Sequence, residues 1–241
     1  MSEEPSRALP TEAERESFRE RGWLWLPDAL EAEELSRFQE ACQRVLGRPH
    51  LSHEPGAGSL HAILESVWIE WRETRFHAWA LAAAEALMGR PLDYWYHQLL
   101  FKAPLEGPPT HWHQDDAYLG VEEDLTISCW LAVQDVGPDA ACMEFLSGGQ
   151  RAGLLAELAP EGEPGGTPPE PPGLLPEQVH AQPLRAGSVT FHHGKTPHRT
   201  GPNLSPAWRL AFIQRFALRG VPRPGPEACR ASSQAPSAAG G

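Results

Sequence analysis

Polar and charged positions dominate residues 11–21, which predicts a helix lying on the surface. The apolar run Gly22-Trp23-Leu24-Trp25-Leu26-Pro27 then suits a short strand. From Pro27-Asp28 onward, Leu30, Leu35, Phe38 and Cys42 recur at helical spacing, and Gly47 ends the pattern. Residues 50–60 read as loop. Apolar positions through residues 61–88, including Ala80 to Leu87, predict one or two helices that stop at Gly89-Arg90-Pro91.

The texture changes after this point. Asp93 to Phe101 is aromatic and extended, residues 111–118 read as a further strand, and Leu125 to Val136 and Cys142 to Leu146 as two more. Gly187 to His192 and Arg209 to Leu218 complete the set. Helices first and antiparallel-type strands afterwards predict an α+β protein whose core is a β-sandwich or barrel. Residues 160–176 carry seven prolines and four glycines, a composition that predicts a long surface insertion or a lid over a pocket. Residues 220–241, rich in Pro, Ser, Ala and Gly, read as a C-terminal tail. The expected organisation is one domain over 1–219 with the insertion and the tail attached, and no internal repeat.

Composition narrows the function classes. With 241 residues, 41% hydrophobic and 22% charged, the chain can build one sizeable core. A formal net charge of -12 and the lack of a Lys/Arg block argue against a nucleic-acid or anionic-membrane surface. Cys42, Cys129, Cys142 and Cys229 form no CxxC pair, so reduced thiols are expected rather than a disulfide framework or a zinc site. The acidic Met-Ser-Glu-Glu-Pro start and the absence of a long apolar run predict a cytoplasmic protein without a signal peptide or membrane span.

The chemistry concentrates in His111-Trp112-His113-Gln114-Asp115-Asp116. Read as extended chain, His113 and Asp115 point to one face, which supplies two thirds of a 2-His-1-carboxylate set for Fe(II). His198 follows 85 residues after His113, beyond several strands, and Arg209 comes eleven residues later inside the apolar run Ala207 to Ile213. A cation in such a run lies either on a solvated face or against an anion in the interior.

This order and spacing resembles the phytanoyl-CoA dioxygenase family of Fe(II)/2-oxoglutarate-dependent oxygenases. The resemblance extends through FRERGWLWLPDAL at 18–30, LLFKAP at 99–104, CWLAVQDV at 129–136 and HRTGPNLSPAWR at 198–209, and covers roughly residues 15–218. It implies a double-stranded β-helix (a cupin-like jelly roll) flanked by N-terminal helices. It implies His113, Asp115 and His198 as iron ligands, with Arg209 pairing the far carboxylate of 2-oxoglutarate and Thr200 donating its hydroxyl to it. Gln98, Trp130 and Lys102 fall at positions near the co-substrate, a rim or surface position being the alternative for Lys102. The chain departs from the family pattern at Ala140-Ala141 and at Ser147-Gly148-Gly149-Gln150, both in connections, where the pocket mouth would be shaped.

Other candidates have blander expectations. At most one of His192 and His193 looks inward, and His193 is considered for a contact at the site. His111 is read as a pocket-edge residue, Trp112 as a possible pocket wall, and Asp116 as facing away towards solvent or a helix cap. The expected activity is hydroxylation of an aliphatic C–H bond in a small molecule, using Fe(II), 2-oxoglutarate and dioxygen and releasing succinate and carbon dioxide. The presence of Asp115 disfavours halogenation. The alternative is a catalytically silent jelly roll that binds a ligand or a partner.

Overall fold

The computed structural model describes residues 7–48, 59–62, 67–119, 125–158 and 170–223. The chain opens with helix α1 (Glu12–Arg21). Its first turn is closed by a reciprocal cap in which Thr11 and Glu14 satisfy each other's backbone N–H groups. Gly22 ends it at φ 78°, its N–H donating to the Phe18 carbonyl at 2.7 Å. Strand β1 (Trp23–Leu26) and helix α2 (Ala32–Leu46) follow. After them come β2 (Ser59–Ala62), a 3-10 turn (Ile69–Glu73) and α3 (Arg75–Met88), the last capped by Thr74. The 61–88 region is therefore not purely helical, because residues 59–62 pair with the following long strand.

The remaining elements are β3 (Leu92–Lys102), β4 (Thr110–His113), a single-turn helix α4 (Asp115–Leu119), β5 (Thr126–Ala132), β6 (Met143–Leu146), β7 (Val179–Gln182), β8 (Val189–His193), β9 (His198–Thr200) and β10 (Arg209–Leu218). They form two antiparallel sheets, ordered β1-β8-β5-β10-β3-β2 and β4-β9-β6-β7. From β3 onward the chain alternates between the sheets, except at the β6–β7 hairpin, which is the winding of a double-stranded β-helix. The expected insertion at 160–176 lies largely outside the described residues, as does the tail beyond Arg223.

One face of the larger sheet is covered by the helices. Phe212 of β10, fully buried, meets Phe38 of α2, Trp71 and Phe76. The opposite face looks across at the smaller sheet, and register sets which residues meet there. One rung runs Trp23, His192, Ser128, Arg215, Tyr96, and the next Thr190, Trp130, Ile213, Gln98. Arg209 pairs with Lys102 towards the far end of β10. The inner face is thus polar and cationic where the helix-facing side is aliphatic and aromatic.

Gly22 joins this frame to the smaller sheet. Its carbonyl accepts from the Thr196 hydroxyl at 2.7 Å, just before β9, and a Cβ there would collide with Gln150 and Thr196. Gly22→Ala should lower the unfolding free energy by more than about 1 kcal/mol, since a positive φ is unfavourable for alanine in addition to the clash. Urea denaturation checks this, and an unchanged midpoint would contradict the placement.

Candidate metal and co-substrate site

His113 ends β4, and His198 opens β9 directly opposite it in register. The chain does not continue as a strand to residue 118: it turns at Gln114 into α4, so Asp115 approaches His113 from a helical turn rather than from a shared extended face. The backbone makes this turn because the Asp116 N–H donates to the Gly194 carbonyl at 3.1 Å and the Ala117 N–H to the Gln114 carbonyl at 3.2 Å.

The three side chains converge. Nε2 of His113 and Nε2 of His198 each lie 3.8 Å from Asp115 Oδ1, and one donor atom from each residue falls within 4.8 Å of the others. The Nδ1 atoms sit 2.9 Å from backbone carbonyls, of His111 for His113 and of Thr196 for His198. A carbonyl can only accept, so Nδ1 carries the proton and Nε2 keeps its lone pair for the centre. Burial, followed by the neighbouring imidazole, pushes both histidines down to about 3 and holds them neutral.

Asp115 is divided between two tasks. Oδ2 accepts from the Ser128 hydroxyl at 2.8 Å and from His192 Nε2 at 3.1 Å, and forms an ion pair with Arg215. Ser128 in turn accepts from Arg215 Nη1 at 2.7 Å. Burial alone would raise the carboxyl, but Arg215, His198 and His192 outweigh it and hold Asp115 well below the usual carboxylate range. Oδ1 is buried with no hydrogen-bond partner. Two imidazole lone pairs and one bare carboxylate oxygen facing a common point suit a divalent ion such as Fe(II), with its remaining positions left to other ligands.

The second half of the site is cationic. Arg209 is fully buried, its Nε and Nη2 have no partner, and its guanidinium lies 5.6 Å from the Trp130 ring. Burial pulls it down to about 9. Lys102 donates to Thr200 Oγ1 at 2.6 Å and to the Gly201 carbonyl at 2.9 Å. Burial and then the Arg209 charge lower it well below the usual lysine range. Among the described residues no ion pair joins either cation to a carboxylate. Two enclosed cations without a counter-charge suit an anionic ligand. Gln98 and Trp130 share the inner face one rung from Arg215.

Several expectations need correction. For Lys102 it is only the alternative, a rim or surface position, that fails: the side chain is enclosed at 1% exposure, because its strand position points between the sheets. Asp116 does not face solvent. It is fully buried and accepts from the Thr126 hydroxyl, and burial raises its carboxyl to about 7. Of the adjacent histidines, His192 turns to Asp115, whereas His193 Nδ1 accepts from the Lys195 N–H at 3.1 Å. Trp112 packs with Leu146 and Leu158 beneath the Arg199 guanidinium, 4.9 Å away, and lines a pocket of about 300 Å³ with His111, Arg199 and Thr200. Arg215 was missed altogether, although it shares parity with Arg209, Ala211 and Ile213 on β10, and that even spacing was the available signal.

A double-stranded β-helix holding a His-x-Asp…His cluster between its sheets defines a mononuclear metal-binding protein of the cupin type. The chain belongs to the phytanoyl-CoA dioxygenase (PhyH) family, whose family model matches residues 18–211. It is 26% identical over 152 residues to an L-proline trans-4-hydroxylase of Streptomyces griseoviridis, a match covering 58% of this chain and 56% of that enzyme, little more than half its length. The fold is shared with EvdO2 from Micromonospora carbonacea var. aurantiaca, solved with 2-oxoglutarate, at TM-score 0.73 and 24% identity over 93% of this chain and 98% of that one. It is shared also with the epimerase SnoN, solved with Fe3+, alpha ketoglutarate and nogalamycin RO, at TM-score 0.68 and 24% identity over 86% and 83%.

Two predictions follow from the electrostatics. Arg215→Met leaves the buried Asp115 carboxylate without its main counter-charge and should cost about 3–5 kcal/mol in denaturant unfolding. A loss under 1 kcal/mol would contradict the pairing. In metal-free protein, His113 and His198 titrate at their ordinary value of 6.5 when unfolded and at about 3 when folded. The unfolded chain therefore binds more protons between these values. Stability is fully present above about pH 6.5 and is lost as pH falls towards 3, with a slope of up to about 2.7 kcal/mol per pH unit for the pair. Denaturation curves from pH 7 to pH 4 check this, and a flat profile would contradict it.

Proposed function

We propose that this protein is an Fe(II)- and 2-oxoglutarate-dependent dioxygenase that hydroxylates an aliphatic C–H bond of a small molecule, releasing succinate and carbon dioxide. The observation that carries this reading is the pairing of a bare N2O donor set with an enclosed, unpaired Arg209 in one inter-sheet space. Family membership and the presence of 2-oxoglutarate in EvdO2 support it.

In this reading His113, Asp115 and His198 hold the iron. Arg209 binds the far carboxylate of 2-oxoglutarate through the guanidinium nitrogens that otherwise lack partners. Thr200 offers its hydroxyl, kept in place by Lys102, whose charge also favours a dianion. Gln98 and Trp130 line the co-substrate, Trp130 being the surface on which Arg209 rests. When bound, iron and 2-oxoglutarate supply the oxidative activation of dioxygen, which no protein side chain can perform. The protein contributes geometry. Ser128, His192 and Arg215 keep Asp115 Oδ2 occupied, the carbonyls of His111 and Thr196 orient the imidazoles, and the two closely packed sheets exclude water.

The primary substrate is proposed to be a small molecule, in line with the proline hydroxylase among the relatives, and neither nucleic acid nor membrane is part of the reading. No helix among the described residues is long and apolar enough to cross a membrane. The buried free thiols of Cys42, Cys129 and Cys142 suit a reducing cytoplasm.

Incubation with Fe(II), ascorbate and 2-oxoglutarate should yield succinate, slowly in the absence of the primary substrate. His113→Ala should abolish this turnover, whereas Arg209→Ala should raise the 2-oxoglutarate KM at least tenfold. Full turnover by His113→Ala, or no succinate from wild type together with no binding of metal or 2-oxoglutarate, would overturn the reading in favour of a silent jelly roll.

A further inference from the structure

Gln114 stands between the two ligand residues of His113-x-Asp115, and its side chain is fully buried. Its amide is held by backbone groups from two distant segments. Nε2 donates to the Gly153 and Lys195 carbonyls, both at 2.7 Å, and Oε1 accepts from the Leu155 N–H at 2.8 Å. Lys195 belongs to the turn that leads into His198, and the next carbonyl along, that of Thr196, orients the His198 imidazole. The same turn is gripped a second time, where the Asp116 N–H donates to the Gly194 carbonyl at 3.1 Å and the Asp116 carboxylate accepts from Thr126. Gly194 permits this approach, since a Cβ there would collide with the Asp116 carboxylate and the Thr126 hydroxyl.

We propose that Gln114 is a positioning residue that sets the spacing between the two halves of the metal site and couples that spacing to the 153–155 loop. His113 and Asp115 flank it on one segment, and His198 is reached through Lys195 on the other. An amide is the suitable group: its two donors meet two carbonyls and its oxygen accepts one N–H, so swinging the buried side chain elsewhere would break three hydrogen bonds. By reciprocity, if metal binding at His198 orders Leu155 through Gln114, ordering Leu155 strengthens metal binding by the same factor. The proposal rests on the assignment of His113, Asp115 and His198 as metal ligands.

The test uses Zn(II), which is diamagnetic, added to the metal-free full chain in competition with a chelating dye. Gln114→Met keeps the side-chain length and loses all three hydrogen bonds, and it should bind Zn(II) at least tenfold more weakly than wild type. Val45→Ala, which opens a cavity under α2 in the helix-side core, serves as a stability control and should leave Zn(II) affinity unchanged. In wild type, Zn(II) should slow hydrogen exchange at the Leu155 amide at least tenfold. Unchanged affinity in Gln114→Met, equal weakening in Val45→Ala, or a Leu155 amide indifferent to Zn(II) overturns the proposal. The exchange measurement needs no variant, so it decides the matter even where Gln114→Met fails to fold. A wild-type protein that takes up no Zn(II) overturns the ligand assignment itself, and this proposal with it, whereas the other outcomes leave that assignment standing.

Discussion

The buried carboxylate of Asp115 is the constraint around which the site is arranged. An isolated carboxylate between two packed sheets would be protonated or would cost several kcal/mol to hold charged. Arg215, Ser128 and His192 resolve this on Oδ2 alone, and so leave Oδ1 charged, directed and bare beside two imidazole lone pairs. The arrangement requires β5, β8 and β10 to be neighbours, because Ser128, His192 and Arg215 lie on one rung across them. The order of the larger sheet and the chemistry of the ligand thus depend on the same register.

At the other end of β10 the logic is reversed. Arg209 and Lys102 are enclosed without an anion, and each is pulled below its ordinary value by burial. One end of the strand is neutralised from within the protein, and the other is cationic with no carboxylate paired to it among the described residues. An anion long enough to reach from the metal centre to Arg209 would complete both, which is why the metal site and the co-substrate site are read as a single functional unit.

The larger features were legible in the sequence for identifiable reasons. β3, β5, β8 and β10 lie between the helices and the smaller sheet, so apolar and aromatic helix-facing positions alternate with polar or cationic inner ones, and each reads as extended chain. β2, β7 and β9 span only three or four residues and lack the large apolar side chains that mark the equally short β1 and β6. The convergence of His113, Asp115 and His198 and the interior position of Arg209 accord with motif spacing and family resemblance. An outward Asp116 requires residues 111–118 to form one strand, whereas the turn at Gln114 carries Asp116 inward. Arg215 and His192 carried no motif, and their role is set by cross-strand register, which a single sequence does not display. The reach of Gln114 to Gly153 and Lys195 is hidden for the same reason, since both contacts are to backbone carbonyls that any residue would supply.

The most direct test of a joined metal and co-substrate site is anaerobic titration of the metal-free protein with Fe(II) and 2-oxoglutarate, followed by visible absorption. Chelation of Fe(II) by the keto acid within the site should produce a charge-transfer band that saturates at one equivalent of each component, is absent when either is omitted, and is lost when Asp115 is replaced by alanine. No band in wild type, or an undiminished band in Asp115→Ala, would contradict the assignment.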